Sequence, residues 1–378
     1  MVCHCRGGKM LFQYGKVVTG SHFYDRKEMQ KKVLNFLKSG QSFMVKAPRR
    51  YGKTSLIKEV MRENNLDCFS IDFRKTPRLE LFNDMLLEYI YSKMGIKGAI
   101  GQMKENAIAF LRQHKTTVGI KTDIFETSVE FFSNDKTSQD IRLTRALDFL
   151  ENVAKEMNTR FYVFFDEFQD VKKITSEFDI LELMRGAIQH HEHICYIFAG
   201  SNMTMMTEVF ENKKSPFYNF CRKLKLDAFD ITELAKEIQA ALRKKKIAFA
   251  SDELLLSLLQ RLKGHPANTM LVMGIIESKM MDTQKMMIDQ AIINEAYEEA
   301  LEEMGDLISE YLKEIRTKEH LHDVLFRMAN GEEQVLEPSS LQQKRKYLVD
   351  MGYLLHIDRG EYQIIDGFLE EDLKRFNG

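Results

Sequence analysis

The sequence predicts an α/β protein whose three-layer core contains a largely parallel central sheet. Short apolar runs that favour β-structure recur along residues 1–230, and polar or glycine-containing segments bound each of them. Between most of these runs lie helix-length stretches with apolar residues at i, i+3 and i+4 spacing. Strands that alternate with helices favour a fold in which helices cover a parallel sheet.

Five apolar runs mark the predicted core strands, which are Phe43–Ala47, Cys68–Phe73, Phe161–Phe165, Ile194–Ala199 and Lys223–Phe229. The segment from about residue 95 to residue 140 interrupts the alternation of strands and helices. Two alternating runs within it, Thr117–Thr122 and Thr127–Phe132, predict a β-hairpin that is inserted on the core.

Two smaller domains are predicted after the core domain, which we take as residues 1–230. Residues 231–302 have a wholly helical pattern, with Thr232 as the predicted N-cap, and are expected to form a helical lid. Residues 303–378 have the element order of a winged helix, three helices followed by a hairpin. These elements are predicted at Asp306–Thr317, Lys318–Ala329, Ser339–Met351, Leu354–Ile357 and Tyr362–Ile365.

The composition is that of an ordinary globular protein, with 44% hydrophobic and 29% charged residues among 378. No apolar run approaches the roughly 20 residues of a membrane helix, and the first ten residues lack an apolar signal region. We therefore expect a soluble, cytoplasmic protein with no membrane partner. The net charge of −1 is unevenly spread: residues 1–230 hold 36 Lys and Arg against 29 Asp and Glu, and residues 303–378 hold 10 against 16. The first part can favour phosphates, whereas the last should repel them.

The strongest motif joins the first core strand to the following helix. The strand runs into a loop that ends in Gly52-Lys53-Thr54, and backbone N–H groups at such a helix start wrap phosphates. Lys53 would reach the β- and γ-phosphates of ATP, and the Thr54 hydroxyl would bind Mg²⁺. Ala47 stands where the usual motif has its first glycine. The predicted nucleotide-binding residues are Ala47, Pro48, Arg49, Arg50, Tyr51, Gly52, Lys53, Thr54 and Ser55.

The two arginines of this loop have two open interpretations. Arg49 and Arg50 flank the predicted phosphate position. One of them either contacts the γ-phosphate or pairs with acids beneath the loop.

A second motif is the apolar run Phe161–Phe165, which ends in Asp166 and Glu167. An unbroken apolar run is expected of a strand that is buried on both faces. Asp166 can contribute to the Mg²⁺ shell, and Glu167 can orient or deprotonate the attacking water. The simpler alternative is a strand that enters solvent at two acids.

A third polar position follows the run Ile194–Ala199, where the chain continues as Gly200, Ser201 and Asn202. In phosphate-loop ATPases a polar residue at this strand end senses the γ-phosphate or holds the water. Ser201 and Asn202 are both candidates, and a plain polar strand exit is the alternative.

These motifs together resemble the prokaryotic "archaeal ATPase" family of AAA+-related and STAND-related P-loop ATPases, near the origin-recognition initiators. The resemblance spans residues 10–378 and implies a P-loop core with an additional strand and a catalytic glutamate, a helical lid and a winged helix. The segments that carry it are Ala47–Leu56, Asp166–Asp170, Ala199–Ser201, Ser215–Tyr218 and Gly264–Pro266.

Further site positions are implied by the resemblance alone. Phe23 and Arg26 lie in the segment that packs against adenine in this group, although an ordinary N-cap at Asp25 explains the same pattern. Arg222 precedes the last core strand, where AAA+ proteins carry an arginine finger, but it could equally be a solvated basic residue. His265 lies where a lid residue approaches the γ-phosphate. The usual lid arginine is absent, because Ala267 and Asn268 follow the proline.

The leading functional prediction is an Mg²⁺-dependent ATPase whose nucleotide state moves the lid and the tail. The alternative is an ATP-gated regulator that hydrolyses slowly or not at all and recruits DNA or protein through the tail. The acidic balance of the tail disfavours DNA despite Lys344, Arg345 and Lys346, so the expected partners are ATP, an unknown protein and further copies of the chain. A small-molecule kinase is disfavoured by the pair Asp166 and Glu167, and by the prediction of a large helical and winged tail in place of a short acceptor-binding lid.

Overall fold

The computed structural model describes residues 10–94 and 138–375. The chain divides into two compact units. The sheet unit consists of Lys31–Lys46 and Val60–Lys225, and the loop unit consists of Met1–Gln30, Ala47–Glu59 and Leu226–Gly378. The division into domains 1–230, 231–302 and 303–378 stays a prediction. The hairpin expected within residues 95–140 falls outside the described residues.

The sheet unit confirms the predicted α/β fold with a central parallel sheet. Its five strands are β1 (Phe43–Lys46), β2 (Cys68–Asp72), β3 (Phe161–Asp166), β4 (Ile194–Gly200) and β5 (Arg222–Lys225). They lie in the order β2-β3-β4-β1-β5, and every neighbouring pair is parallel. Among the described residues, the helices of this unit are Leu79–Lys93, Gln139–Glu156, Ile180–Ile188 and Met203–Phe210, together with most of the first helix of the chain, Lys27–Ser39.

The register of the sheet brings the carboxyl ends of its strands to one edge. Asp72 of β2 lies opposite Asp166 of β3, and Lys46 of β1 lies opposite Gly200 of β4. The phosphate loop follows directly on Lys46, and the helix Lys53–Glu63 follows the loop. β3 and β4 are buried along nearly their whole length, which explains why both appeared as unbroken apolar runs.

The last predicted core strand differs from the observed one. We expected a strand over Lys223–Phe229, but β5 ends at Lys225. Arg222 is the first residue of this strand, where the prediction put it in the preceding segment. It pairs with Phe43 at the amino end of the sheet.

The loop unit contains mainly helices. We predicted that residues 231–302 are wholly helical, but this region also contains two short strands. Ala248–Phe249 and Met287–Ile288 form a parallel pair of two-residue strands, which are too short to show a period in sequence. Thr232 was also wrong as an N-cap, because the Asp230 side chain accepts the hydrogen bond from Glu233 N. The helices of this region are Ile231–Arg243, Asp252–Arg261, Pro266–Thr283 and Gln290–Glu303.

Residues 305–375 have the predicted element order with one helix added. The helices Gly305–Arg316, Leu321–Asn330 and Pro338–Met351 precede an antiparallel hairpin, Leu354–Asp358 with Glu361–Ile364. A further helix, Gly367–Arg375, ends the described chain. The classification of this tail as a winged helix remains a prediction.

The buried carboxylate of Glu277 links the backbone of Leu11 and Phe12 to the helix Pro266–Thr283. Glu277 is fully buried and accepts hydrogen bonds from the backbone N–H groups of Leu11 (2.8 and 2.9 Å) and Phe12 (3.1 Å). Lys245 Nζ lies 2.5 Å from the same carboxylate. Because a buried charge needs such partners, this cluster fixes the path of Leu11 and Phe12.

None of the helices in the described parts of the chain combines the length and apolar character that crossing a membrane requires.

Candidate functional site

The phosphate loop has the backbone that its sequence predicts. The helix begins at Lys53, and Leu56 N donates to Gly52 O at 2.9 Å. Gly52 has a φ of +80°, and a Cβ atom there would meet no described heavy atom within 4 Å. The left-handed backbone, rather than lack of space, therefore explains the glycine. Arg50 also has a positive φ, +63°, which costs about 1–2 kcal/mol for a side-chain-bearing residue.

Lys53 is folded into the loop that precedes it. Its side chain is buried, and Nζ donates to the carbonyl oxygens of Ala47 and Pro48, both at 2.9 Å. These bonds hold a positive charge at the inner side of the loop. Ser55 Oγ instead accepts from Val18 N at 3.2 Å, so this hydroxyl is engaged with the chain before the first helix.

Arg26 links the phosphate loop to the segment that contains Asp227. It is buried and donates to Asp227 O at 2.5 Å and to Tyr51 O at 3.4 Å. Its guanidinium also lies 4.8 Å from the ring centroid of Phe229. Burial lowers the pKa of Arg26 to about 10. The described contacts of Arg26 are thus with backbone carbonyls and an aromatic ring.

Phe23 and Asp25 belong to the same segment as Arg26. Phe23 is half-buried and follows the short 3-10 helix Gly20–His22. The Asp25 carboxylate accepts from Asp230 N, in a distant segment, at 3.0 Å.

His265 lies at the start of the helix Pro266–Thr283 and caps it. Its side chain accepts from Asn268 N, and its ring meets the ring of Tyr51 edge-on with centroids 5.0 Å apart. Burial is the main cause of a lowered pKa, which the nearby Asp366 opposes and Arg50 reinforces. Because burial favours the neutral ring, His265 can act as a capping acceptor for the helix.

In the sheet unit, β3 ends in the two predicted acids. Asp166 is buried, and its Oδ1 accepts from Glu167 N at 3.1 Å. Glu167 has a φ of +50°, which turns the chain sharply between β3 and the 3-10 helix Phe168–Lys173. A non-glycine residue in this conformation is uncommon and is concentrated at functional positions.

The Glu167 carboxylate is surrounded by donors. Oε2 accepts from Ser201 Oγ at 2.6 Å, from Ser201 N at 3.0 Å and from Gln169 Nε2 at 2.7 Å. The structure therefore brings Ser201 to the acid. Asn202 has another contact, because its side chain caps the helix Met203–Phe210 by accepting from Met205 N at 2.9 Å.

Arg74 is the site residue that sequence reasoning missed. Arg74 Nη2 lies 3.1 Å from Glu167 Oε1 and 3.3 Å from Ser201 Oγ. A second ion pair joins its Nε to Asp170 at 3.8 Å. The available signal was its position two residues after β2, since the carboxyl ends of parallel strands meet at one edge.

Gly200, just before Ser201, allows this cluster to pack closely. A Cβ atom at Gly200 would collide with the Gln169 amide oxygen and with the Met206 side chain. A larger residue would push Gln169 away from Glu167.

Arg222 is exposed and stands apart from the acids. Its strand position is at the amino end of the sheet, whereas Asp166 ends β3 at the carboxyl edge. The guanidinium lies 5.9 Å from the ring centroid of Phe36. Within the described part of the sheet unit, Arg222 therefore lies at the opposite end of the sheet from Glu167 and does not contact it.

The oxygen donors suited to a metal ion are few. Among the described residues no group of three or more His, Cys, Asp and Glu side chains could hold a metal ion. Mg²⁺ in phosphate-transfer sites uses only one or two carboxylates and takes its other ligands from phosphates and water. The Asp166 carboxylate at the end of β3 is a donor of that kind.

A parallel sheet with a Gly-Lys-Thr loop after one strand and two acids after another defines a phosphate-loop nucleotide-binding protein. Comparison with protein families agrees: residues 23–268 match the family described as an ATPase domain predominantly from Archaea. Since the match covers well over half of the chain, the protein belongs to this family, as its motifs predicted. No curated protein matches the chain.

Solved structures are similar in fold. A Walker-type ATPase of Pyrococcus abyssi is 17% identical with a TM-score of 0.66, and the match covers 97% of this chain and 100% of that one. The ORC2 protein of Aeropyrum pernix, solved with ADPNP and ADP, is 14% identical with a TM-score of 0.52, covering 94% of each chain. At these identities the similarity establishes the fold.

Proposed function

We propose that the chain binds ATP with Mg²⁺ through residues 47–55 and hydrolyses it to ADP and phosphate. The observation that carries this proposal is the buried Lys53 ammonium, which is held by two loop carbonyls at the start of a helix. A charge in that position is suited to phosphate oxygens, and membership of the ATPase family supports the same conclusion.

The chemical roles follow from the residues themselves. Lys53 would exchange its two carbonyl bonds for oxygens of the β- and γ-phosphates, and the helix N-terminus would add N–H donors. Glu167 would accept a proton from the water that attacks the γ-phosphate in line, while Ser201 orients that carboxylate. Thr54 and Asp166 would hold Mg²⁺, whose charge, when it is bound, neutralises that of the phosphates.

A second candidate function is an ATP-gated switch that turns over slowly. The observation that favours it is the engagement of both Glu167 oxygens, by Ser201 and Gln169 on one side and Arg74 on the other. A carboxylate that is paired with a cation is a weaker base. Phosphate release at saturating ATP distinguishes the two functions, since an ATPase turns over repeatedly whereas the switch keeps ATP bound with little release.

The partners proposed for either function are further copies of the chain and an unidentified protein. Arg222 is exposed at the amino end of the sheet, so we propose that it serves as a finger for a neighbouring copy. Such a finger contributes roughly 10³–10⁵ in rate where it occurs. The acidic charge balance of residues 303–378 supports a protein contact for the tail rather than DNA.

Calorimetric titration with ATP and Mg²⁺ tests the binding site. Lys53→Ala removes the buried ammonium and should lose most of the affinity. Lys58→Ala, an exposed lysine on the same helix, is the matched control and should bind as the wild type does. A folded Lys53→Ala variant with unchanged affinity would refute the assignment of the loop.

A further inference from the structure

The phosphate loop makes a side-chain contact that nucleotide binding does not require. Arg50 Nη1 donates to Tyr14 Oη at 2.6 Å and to Met304 Sδ at 3.4 Å. Tyr14 Oη in turn donates to Met304 Sδ at 3.2 Å, and the guanidinium lies 5.8 Å from the centroid of the Tyr14 ring. We call these three side chains, Arg50, Tyr14 and Met304, the arginine knot. All three belong to the loop unit.

Each partner in the arginine knot has a distinct place in the chain. Met304 is buried and is the single residue between the helices Gln290–Glu303 and Gly305–Arg316, where the predicted lid meets the tail. Tyr14 lies two residues after Phe12, whose backbone N–H donates to Glu277. Arg50 therefore connects the phosphate loop to the lid–tail junction.

Residues beside Arg50 face the same region. Tyr51 packs edge-on against His265 at the start of a lid helix. In the tail, burial raises the pKa of Tyr311 to about 12, and the positive charges of Arg50 and Arg49 oppose that rise. Both loop arginines thus lie within electrostatic range of the first tail helix. Neither of the two interpretations from sequence foresaw this contact for Arg50.

The acceptors in the arginine knot are weak ones. A thioether is a poor hydrogen-bond acceptor and a phenol carries no charge, whereas a phosphate oxygen is an anion and a phosphate can accept two parallel bonds from one guanidinium. Arg50 also carries the left-handed backbone that a side chain disfavours. A phosphate that arrives at the loop would therefore compete successfully for the guanidinium.

We propose that the arginine knot holds the nucleotide-free arrangement of the lid–tail junction, and that bound ATP releases it by drawing Arg50 to the phosphates. This inference rests on the proposed ATP binding and adds the residues through which it reaches the tail. Coupling is reciprocal: whatever weakens the knot without touching the loop must strengthen ATP binding. Arg50 then reports the state of the site to Met304.

Tyr14→Phe is the decisive variant because it keeps the ring and removes the hydroxyl that accepts from Arg50. It should bind the nonhydrolysable analogue ADPNP with Mg²⁺ roughly threefold to tenfold more tightly than the wild type, the range that the net contribution of one typical hydrogen bond supplies. Without nucleotide, hydrogen exchange in Gly305–Arg316 should already reach the level of wild type with ADPNP. Met304→Leu, which removes the sulfur acceptor, should shift both measurements in the same direction.

The matched control is Tyr362→Phe, a tail tyrosine outside the knot whose ring lies near Arg345. It should leave affinity and exchange unchanged. Unaltered or weaker binding by folded Tyr14→Phe and Met304→Leu variants would overturn the inference. Wild-type protein that binds ADPNP without any change of exchange in the tail would also overturn it, whereas failure of wild-type binding would refute the proposed function itself.

Discussion

Replacing Glu277 by glutamine should detach Leu11 and Phe12 from the helix Pro266–Thr283. The carboxylate is fully buried and accepts from the backbone N–H groups of Leu11 and Phe12 while pairing with Lys245. Glutamine keeps one acceptor oxygen, but it loses the charge and turns an NH₂ donor toward groups that are themselves donors. The change is therefore a mismatch of hydrogen bonds in an almost unchanged volume.

The size of the effect follows from these contacts. A hydrogen bond to a charged group contributes about 1.5–3 kcal/mol, and removing one partner of a buried ion pair costs about 3–5 kcal/mol. Since Lys245 keeps 24% of its side chain exposed and can recover some hydration, we expect a loss near the lower end, about 3 kcal/mol. With a urea dependence of about 2 kcal/mol per molar, the unfolding midpoint of the loop unit should fall by about 1.5 M.

Urea denaturation followed by circular dichroism measures this midpoint, and hydrogen exchange at Leu11 and Phe12 reports the local detachment. Glu299→Gln is the matched control, because its pair with Lys279 (2.9 Å) is more than half exposed on the glutamate side. Such a surface pair contributes about 0–1 kcal/mol. If both variants unfold at the same urea concentration, the buried carboxylate does not hold the segment and our reasoning is wrong.

Three further outcomes are expected. Glu167→Gln should bind ATP as the wild type does but release phosphate at least about tenfold more slowly, about 1.4 kcal/mol in barrier, and equal turnover would assign the base elsewhere. Arg74→Ala should raise phosphate release by up to about fivefold, because losing a half-exposed ion pair of about 1 kcal/mol makes the Glu167 carboxylate more basic, and slower release would contradict this. Arg222→Ala should bind ATP but hydrolyse it poorly, and mixing it with Lys53→Ala should restore some activity. Wild-type activity per molecule that stays constant on hundredfold dilution would contradict this.

The sequence predicted those elements whose burial produces a contiguous pattern of apolar residues. β3 and β4 lie between other strands and are covered on both faces, so each appeared as an unbroken apolar run. The loop that ends in Gly52-Lys53-Thr54 was also predictable, because a phosphate-binding loop before a helix needs particular residue types at fixed spacing. The choice of N-cap was wrong because Asp230 and Thr232 are both good capping residues, and sequence does not fix the first helical residue.

Contacts between distant segments were beyond sequence reasoning. Glu277 is an ordinary acid on a helix until the fold brings residues 11, 12 and 245 to it. Arg74 was not recognised because 93 residues separate it from Glu167, although strand order alone could have placed it at the same edge. The roles of the predicted site residues, Ser201 and Arg222 included, stay proposals.

The short strand β5 has a consequence for how copies of this protein can meet. It lies at the edge of the five-stranded sheet, and three of its four side chains, Arg222, Lys223 and Lys225, are exposed cations. Edge strands with such charges resist pairing with another strand, since two copies would set positive charge against positive charge. The edge is therefore protected against aggregation by sheet extension. The same charges favour a binding partner that presents acidic side chains or phosphates to this edge instead of a further strand.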